Sequence, residues 1–556
     1  MKRLVTIATI IFFVSQQAFS IVLTDLCTSN VYCKGNLLDV VQKSGVFNDS
    51  KTFVDLVQKY PENVTLDRFN KLMVSTKNRP TKINITRFIK DCFSSEGELV
   101  KWTPPDYKDN PSFLTKINDT GVKSFAKKLN NIWPLLARKV NSTVSKHPAQ
   151  HSLISLPNGF IIPGGRFKEI YYWDSYWIVK GLLICGMKET ARGMLENLIS
   201  LVRKYGFVPN GSRVYYLNRS QPPLLSLIAG LYYDATKNIT FIKKNIDMLD
   251  REVNWWLENR AVRVRKDSII HTLLRYSVKS GFPRPESYVE DLHTCEKFDN
   301  NSKVDCYKNI RSAAESGWDF STRWIRNSSG GIGVNLTDIH TSDILPVDLN
   351  AFICGAFDQL SKFYTLVGNK AKSTEYKLKV DKWRIAIDKI FYHKHDGIWY
   401  DVDAKVGRYR AGFYPSSLAP LWAKCFAPAR ADYYGSRAAD YLNRNKVSNF
   451  LGGVPTSLIQ SGQQWDLPNA WPPLQEMFVL GLDETKNKKA KILANLFSNR
   501  ILRAFMAGMN TTNEMFEKYD AISVGQYGGG GEYTVQSGFG WTNGVAFSLI
   551  QRDYIR

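Results

Sequence analysis

Six stretches of this chain concentrate carboxylates, arginines and tryptophans. The first runs Pro163-Gly164-Gly165-Arg166-Phe167-Lys168-Glu169-Ile170-Tyr171-Tyr172-Trp173-Asp174-Ser175-Tyr176. The second joins Asn210 to Arg219-Ser220-Gln221, and the third is Pro283-Arg284-Pro285-Glu286-Ser287-Tyr288. The fourth is Glu315-Ser316-Gly317-Trp318-Asp319-Phe320-Ser321-Thr322-Arg323-Trp324. The fifth is Gln464-Trp465-Asp466-Leu467-Pro468-Asn469-Ala470-Trp471-Pro472-Pro473. The sixth extends from Glu517-Lys518-Tyr519-Asp520 through Gly528-Gly529-Gly530-Gly531-Glu532-Tyr533 to Gly544. Arginines and carboxylates hydrogen-bond hydroxyls, and aromatic faces cover apolar C–H surface. A ligand that is polar at its edge and apolar on its face is a sugar.

Such a set, with no metal cluster and no nucleophile motif, points to glycoside hydrolysis, which needs two carboxyl groups flanking the scissile bond. One must hold a proton, which burial against an aromatic ring favours; Asp319, next to Trp318, suits that role. The other must be ionised to activate water. Glu517 is a candidate, and chemistry alone does not choose it over Glu286, Glu532 or Asp466. Each stretch also has a plainer reading. Tryptophans near helix starts are more often packing than ligand platforms. An Arg beside a Glu is usually a surface ion pair of small value, and Asp319 alone could cap a helix. These readings weaken because the stretches all fall at, or between, the starts of one class of helix.

That class has six members, each a polar and aromatic lead-in followed by an apolar run: Trp173 to Gly186, Pro222 to Tyr233, Pro346 to Tyr364, Pro415 to Lys424, Pro468 to Leu480 and Trp541 to Gln551. Amphipathic segments alternate with them: Val122 to Val144, Glu189 to Lys204, Ile239 to Asn259, Ala371 to Phe391, Ala429 to Asn443 and Glu484 to Asn499. A helix that is apolar all round needs cover all round, whereas an amphipathic one needs a wet face. The alternation therefore predicts an all-α fold, an inner ring of helices inside an outer ring: a six-hairpin α/α toroid with the lead-ins converging at one mouth. The block from His271 to Ser342 interrupts the alternation as an insertion at that mouth, a natural place for chemistry.

Composition is that of a globular protein, 44% hydrophobic and 22% charged, which excludes a disordered or fibrous chain. The formal charge of +23 favours acidic surfaces, but no basic run or nucleic-acid motif accompanies it, so a solvated basic surface and no nucleic-acid partner are expected. Seven His and eight scattered Cys without a CxxC leave little for a metal, and no cofactor is expected. Met1 to Ser20, with Lys2 and Arg3 before an apolar run, reads as a secretory signal. The C-terminal end carries no apolar tail, so no stable membrane anchor is expected. Sequons such as those at Asn48, Asn118, Asn300 and Asn510 fit export, with two more at Asn210 and Asn218. Disulfides are then permitted: Cys27 with Cys33 and Cys295 with Cys306 are the expected pairs, and Cys185 and Cys354, in apolar runs, are expected to be buried free thiols.

The motifs resemble those of the trehalase family, the inverting hydrolases of α,α-trehalose. PGGRFKEIYYWDSY and QWDLPNAWPP resemble the two family signatures, and RSQ, RPES, ESGWDFSTRW, EKYD and GGGGEY follow the family's order across about residues 40 to 550. The resemblance implies Asp319 as general acid and Glu517 as general base. It implies sugar binding at Arg166, Trp173, Asp174, Asn210, Arg219, Ser220, Gln221, Arg284, Pro285, Glu286, Gly317 and Glu532. It also implies trehalose as substrate, the toroid fold, and one catalytic domain over residues 21–556 with a short N-terminal extension. Inversion needs the two carboxyls ~6.5–9.5 Å apart, with water between. The glycine-rich segment before Glu532 reads as a lid. Since Asn210 matches a sugar-binding position, it is expected to be unmodified despite its sequon. Two other readings stand beside this one: a toroid hydrolase of another α-glucoside, and a secreted sugar-binding protein without turnover.

Overall fold

The computed structural model describes residues 26–555; the stretch read as a secretory signal lies outside the described residues. Six helices form an inner ring: Asp174–Ile184, Leu225–Thr236, Val347–Leu366, the short Ala419–Trp422, Pro472–Glu484 and Gly540–Tyr554. Each packs against the next, and the sixth returns to the first, closing an α/α toroid. Residues of the first inner helix are buried almost all round, Tyr176, Trp177 and Leu182 among them. That is what a central position requires of an apolar sequence.

Outside lie Thr120–Asn130, Lys188–Tyr205, Ile239–Arg260, Lys370–Ile390, Ala431–Arg444 and Lys488–Thr512. Three of the inner-to-outer turns use one device. A residue in the left-handed region (Lys237, Gly368 or Lys486) is followed by an asparagine (Asn238, Asn369 or Asn487) whose side chain caps the outer helix. The first outer helix departs from expectation. It stops at Asn130, Pro134 opens a short turn of helix at Trp133–Leu136, and Ala137–Val140 continues as a strand between Leu99–Lys101 and Phe160–Ile161. Proline cannot donate to the ladder of a continuing helix, which ends the amphipathic run there.

A hairpin of strands, Ala261–Lys266 and Ile269–Leu274, begins ahead of the expected insertion at His271 and leads into it, and the insertion then carries helices Tyr288–Cys295 and Asn300–Ser316. The second of these helices ends at Gly317 and delivers Asp319 to the mouth. The N-terminal segment forms a layer of its own, with helices Asn36–Lys43, Ser50–Val54, Glu62–Ser75 and Lys82–Cys92 around Leu38, Phe53, Phe88 and Phe93. This layer meets the ring at Tyr171, Tyr215 and Tyr216.

Disulfides join Cys27 to Cys33 and Cys295 to Cys306, as the spacing predicts. Cys185 is a buried free thiol. Cys354 is not: it is bonded to Cys425, which lies 71 residues further on. Packing the third inner helix against the fourth brings the two sulfurs together, a proximity that the apolar run around Cys354 could not reveal.

Candidate active site

One cavity sits at the N-terminal ends of the inner helices. Trp173 and Asp174 open the first inner helix, Gln221 leads into the second, Trp471 caps the fifth, and Trp541 lies in the first turn of the sixth; all of them line the cavity. The insertion adds Arg284, Glu286, Gly317 and Asp319, and the segment before the sixth inner helix adds Glu517, Glu532 and Tyr533. Of the residues singled out from sequence, Arg166, Trp173, Asp174, Asn210, Arg219, Gln221, Arg284, Glu286, Gly317, Asp319, Glu517 and Glu532 line this one cavity. Ser220 and Pro285 stand behind the wall. The Ser220 hydroxyl donates to the Val208 carbonyl at 2.6 Å, and its N–H donates to Glu315 at 2.9 Å. The Pro285 carbonyl accepts from the Gln42 amide of the N-terminal layer at 2.9 Å.

Tryptophans form one side. Trp465 stacks parallel on Trp471 with ring centroids 3.8 Å apart, and Trp541 and Trp173 continue the cluster edge-on. Gly317 is required where Trp173 closes over the loop. Its backbone is left-handed at φ +79°, and a Cβ there would lie 2.8 Å from the Trp173 ring. Trp318 stacks on Trp465 at 5.2 Å, which seats the adjacent Asp319 beneath the cluster. Gln464 fixes the same turn by donating to the Asp319 carbonyl, and Asp466 accepts from the Ser321 and Thr322 hydroxyls and the Thr322 N–H.

Arginines form the other side. Arg219 bonds Glu286 at 2.6 Å and Asn210 at 2.8 Å; Arg284 bonds Asp291 and, at 2.8 Å, Glu532. Burial pushes Glu286 up, but Arg219 and Arg284 outweigh it and hold this carboxyl below the usual range. Arg219 Nη1 and Glu286 Oε2 are buried with no protein partner among the described residues. Buried polar groups are normally paired, so a donor and an acceptor side by side here match the hydroxyls of a ligand.

The candidate pair of carboxyls behaves differently from Glu286. Burial pushes Asp319 up to about 6 and Glu517 up to about 7. Asp174 is raised well above the usual range, by burial first and then by the charges of Glu517 and Asp319. Glu517 accepts from the Tyr533 hydroxyl at 2.8 Å and from the Gln536 N–H at 3.3 Å. Beside it Lys518, lowered by burial to about 8, donates to the Gly529 and Gly530 carbonyls. The carboxyl of Asp319 accepts no hydrogen bond from another side chain among the described residues. Burial is the first cause at both: it outweighs Tyr533 and Gln536, which lower Glu517, and the charges of Arg284 and Arg219, which lower Asp319. It leaves Glu517 the higher of the two, so these values by themselves do not assign the proton to Asp319.

Of the further lining residues, Lys51 and Tyr216 lie outside the six stretches, whereas Tyr171, Trp465, Trp471, Tyr533 and Trp541 lie within them without a role assigned from sequence. The N-terminal layer is the larger omission. Asp49 clamps Arg166 through two bonds, Nε–Oδ2 at 2.9 Å and Nη2–Oδ1 at 2.6 Å. The Arg166 guanidinium lies 4.7 Å from the centre of the Tyr533 ring, and the backbone N–H of Arg166 donates to the Gln536 side-chain oxygen. Asp49, Arg166, Tyr533 and Glu517 therefore form a continuous chain from the N-terminal layer to the candidate base. Asn210 is 4% exposed and already bonded to Arg219.

Among the described residues no group of three His, Cys, Asp or Glu side chains could hold a metal ion, and no helix is long and apolar enough to cross a membrane.

Comparison with known proteins places this geometry. The model of the family described as Trehalase matches residues 45–553. The chain is 49% identical over 529 residues to a trehalase of Tenebrio molitor, covering 95% of each chain. It is 41% identical to the trehalase of Homo sapiens, covering 95% of this chain and 90% of that one. Among solved structures it is similar in fold to neutral trehalase Nth1 from Saccharomyces cerevisiae, with a TM-score of 0.57 at 21% identity, covering 71% of this chain and 73% of that one.

Proposed function

This chain belongs to the trehalase family, and from that premise we propose how its side chains divide the work of cleaving α,α-trehalose. The activity is that of an α,α-trehalase, a glycoside hydrolase releasing two glucose molecules. Asp319 is the general acid and Glu517 the general base. The observation that supports this division is geometric: Tyr533 and Gln536 donate to Glu517 and orient its carboxylate to receive a proton from water, whereas the carboxyl of Asp319 accepts from no other side chain among the described residues and is open to the bridging oxygen.

Trehalose joins its rings through both anomeric carbons, so the pocket must enclose two sugars. Arg166, Arg219, Arg284, Asn210, Gln221, Asp174, Glu286 and Glu532 hydrogen-bond hydroxyls, and the tryptophan cluster covers C–H faces. Asp319 gives its proton to the bridging oxygen as positive charge develops on the departing ring. Glu517 takes a proton from the water attacking the opposite face. One glucose then leaves as the β anomer and the other as the α. Ser220 and Pro285 act through the wall they support.

The three disulfides fit an oxidising compartment. That supports export of the protein, the reading of residues 1–20 as a signal, and glycosylation at exposed sequons such as Asn48. The burial of Asn210 supports its remaining unmodified. We read the described residues as one catalytic domain whose N-terminal layer belongs to the site.

Proton NMR during turnover, before mutarotation, tests the reaction: equal α- and β-glucose appearing together is the expected result. Glu517→Gln and Asp319→Asn should each cost ~10²–10⁴-fold in kcat with the fold retained. A near-wild-type rate in either variant would overturn the division of roles.

A further inference from the structure

A second cavity opens at the other end of the ring, away from the mouth, with a volume of about 450 Å³, inside the ~300–1,000 Å³ range of small-molecule sites. All of the first five inner helices contribute to it. Gly230 and Gly355 keep it open; a Cβ on Gly230 would meet the Gln359 side chain at 2.9 Å. Its apolar surface combines two aromatic rings, Trp422 and Tyr176, with Leu227, Leu231 and Leu480. Trp422 is half-buried and meets Tyr176 edge-on at 5.4 Å. Tyr176 is 7% exposed and lines the cavity; its hydroxyl is accessible there rather than sealed in the core, and it makes no hydrogen bond within the described residues.

The rim is charged but balanced. Asp234 pairs with Lys237 at 3.3 Å, Asp358 with Lys362 at 2.7 Å, Glu484 with Lys424 at 3.0 Å, and Asp483 with Lys491 and Arg552. No single sign of charge is left over to draw an ion. What remains is an aromatic face ringed by both donors and acceptors, the Gln359 amide among them. A neutral ring carrying hydroxyls is the ligand this surface matches, since each hydroxyl both donates and accepts. The cavity is separate from the catalytic one, although Asp174 and Tyr176, two residues apart on the first inner helix, face one each.

We propose that this cavity is a second, non-catalytic site for a pyranose sugar, with the Trp422 ring as platform and the Tyr176 hydroxyl as a hydrogen-bonding group. The assignment rests on the cavity alone and does not depend on which carboxyls act at the mouth.

Calorimetric titration of the Asp319→Asn protein with glucose, and separately with trehalose, tests it, because turnover is slowed ~10²–10⁴-fold while both cavities are retained. Two classes of site are expected for at least one of the sugars. Binding of glucose would make the cavity a product site, and binding of trehalose alone a substrate site. Adding Trp422→Ala should abolish one class and leave the other unchanged. Adding Tyr176→Phe, which removes a single oxygen and keeps the packing, should weaken the same class roughly three- to tenfold. A single class for both sugars, or two classes that survive Trp422→Ala and Tyr176→Phe unaltered, would overturn the proposal.

Discussion

Asp319 and Arg323 lie four residues apart in one motif, both deep in the protein, and their surroundings are opposite. Arg323 is fully buried with its guanidinium saturated: two bonds to Asp348 at 2.7 Å each, two to Asp401 at 2.6 and 3.1 Å, and the Trp318 and Trp324 rings against it. Asp348 and Asp401 in turn accept the N–H groups of Leu349 and Val347 at the start of the third inner helix. Every charge in this cluster has its partner inside the protein. At the mouth, Asp319, Glu517 and Asp174 share a cavity with too few donors, and burial raises all three. The saturated cluster holds the framework in place. The under-partnered one keeps proton affinity in reserve for a substrate, a separation of roles that burial or charge alone would not reveal.

The contrast is most exposed by breaking the saturated side. Arg323→Ala would strand two buried carboxylates and should cost about 3–5 kcal/mol of stability, read as a loss in denaturant midpoint. An unchanged midpoint would mean that the cluster is not the strut described here.

Asp49→Asn probes the link between framework and chemistry. Arg166 loses its clamp, and kcat/KM should fall about 10- to 100-fold, the scale of losing an outer partner that orients a site residue. The sign of the accompanying pH shift follows from charge. With Asp49 neutral, the positive charge of Arg166 near Glu517 is less compensated, so the Glu517 pKa falls and the acidic limb of the pH–rate profile moves to lower pH. A depressed rate with an unmoved limb would reduce Asp49 to a purely structural role.

The smallest effect concerns stability at the mouth. Asp319 rises from 3.8 to about 6 on folding, so the folded protein holds this proton more tightly than the unfolded chain. Its burial cost is absent below pH 4, grows between the two values and is complete above pH 6. Asp319→Asn should therefore stabilise the protein at pH 8, by at most about 3 kcal/mol, and give no gain at pH 4. Thermal melts at the two pH values decide the matter; an equal effect at both would exclude ionisation as its origin.

Much of this was legible in the chain. Apolar runs against amphipathic runs disclosed the two rings, because each ring sets its own rule for which faces are wet. The motifs disclosed the mouth, because Trp173, Asp319 and Glu517 sit in dense local patterns. What stayed hidden was whatever only folding brings together. Asp49 carries no pattern of its own and matters through Arg166, 117 residues away. Cys354 finds Cys425 across two inner helices. Ser220 and Pro285 stand within the right motifs, yet their atoms turn to the wall, and a motif does not record which way each member faces.

The sixth inner helix packs on the first, and this has a consequence for the making of the protein. A chain emerging from the ribosome presents Asp174 and Asp319 long before Glu517, and the ring stays an open arc until Gly540–Tyr554 has been synthesised. Up to then the apolar flank of the first inner helix has no cover. Closure across such a sequence separation is the kind of contact that slows folding, so the nascent chain must stay shielded from aggregation until the sixth inner helix has been made. Acid and base come together in one finished cavity only when the ring closes.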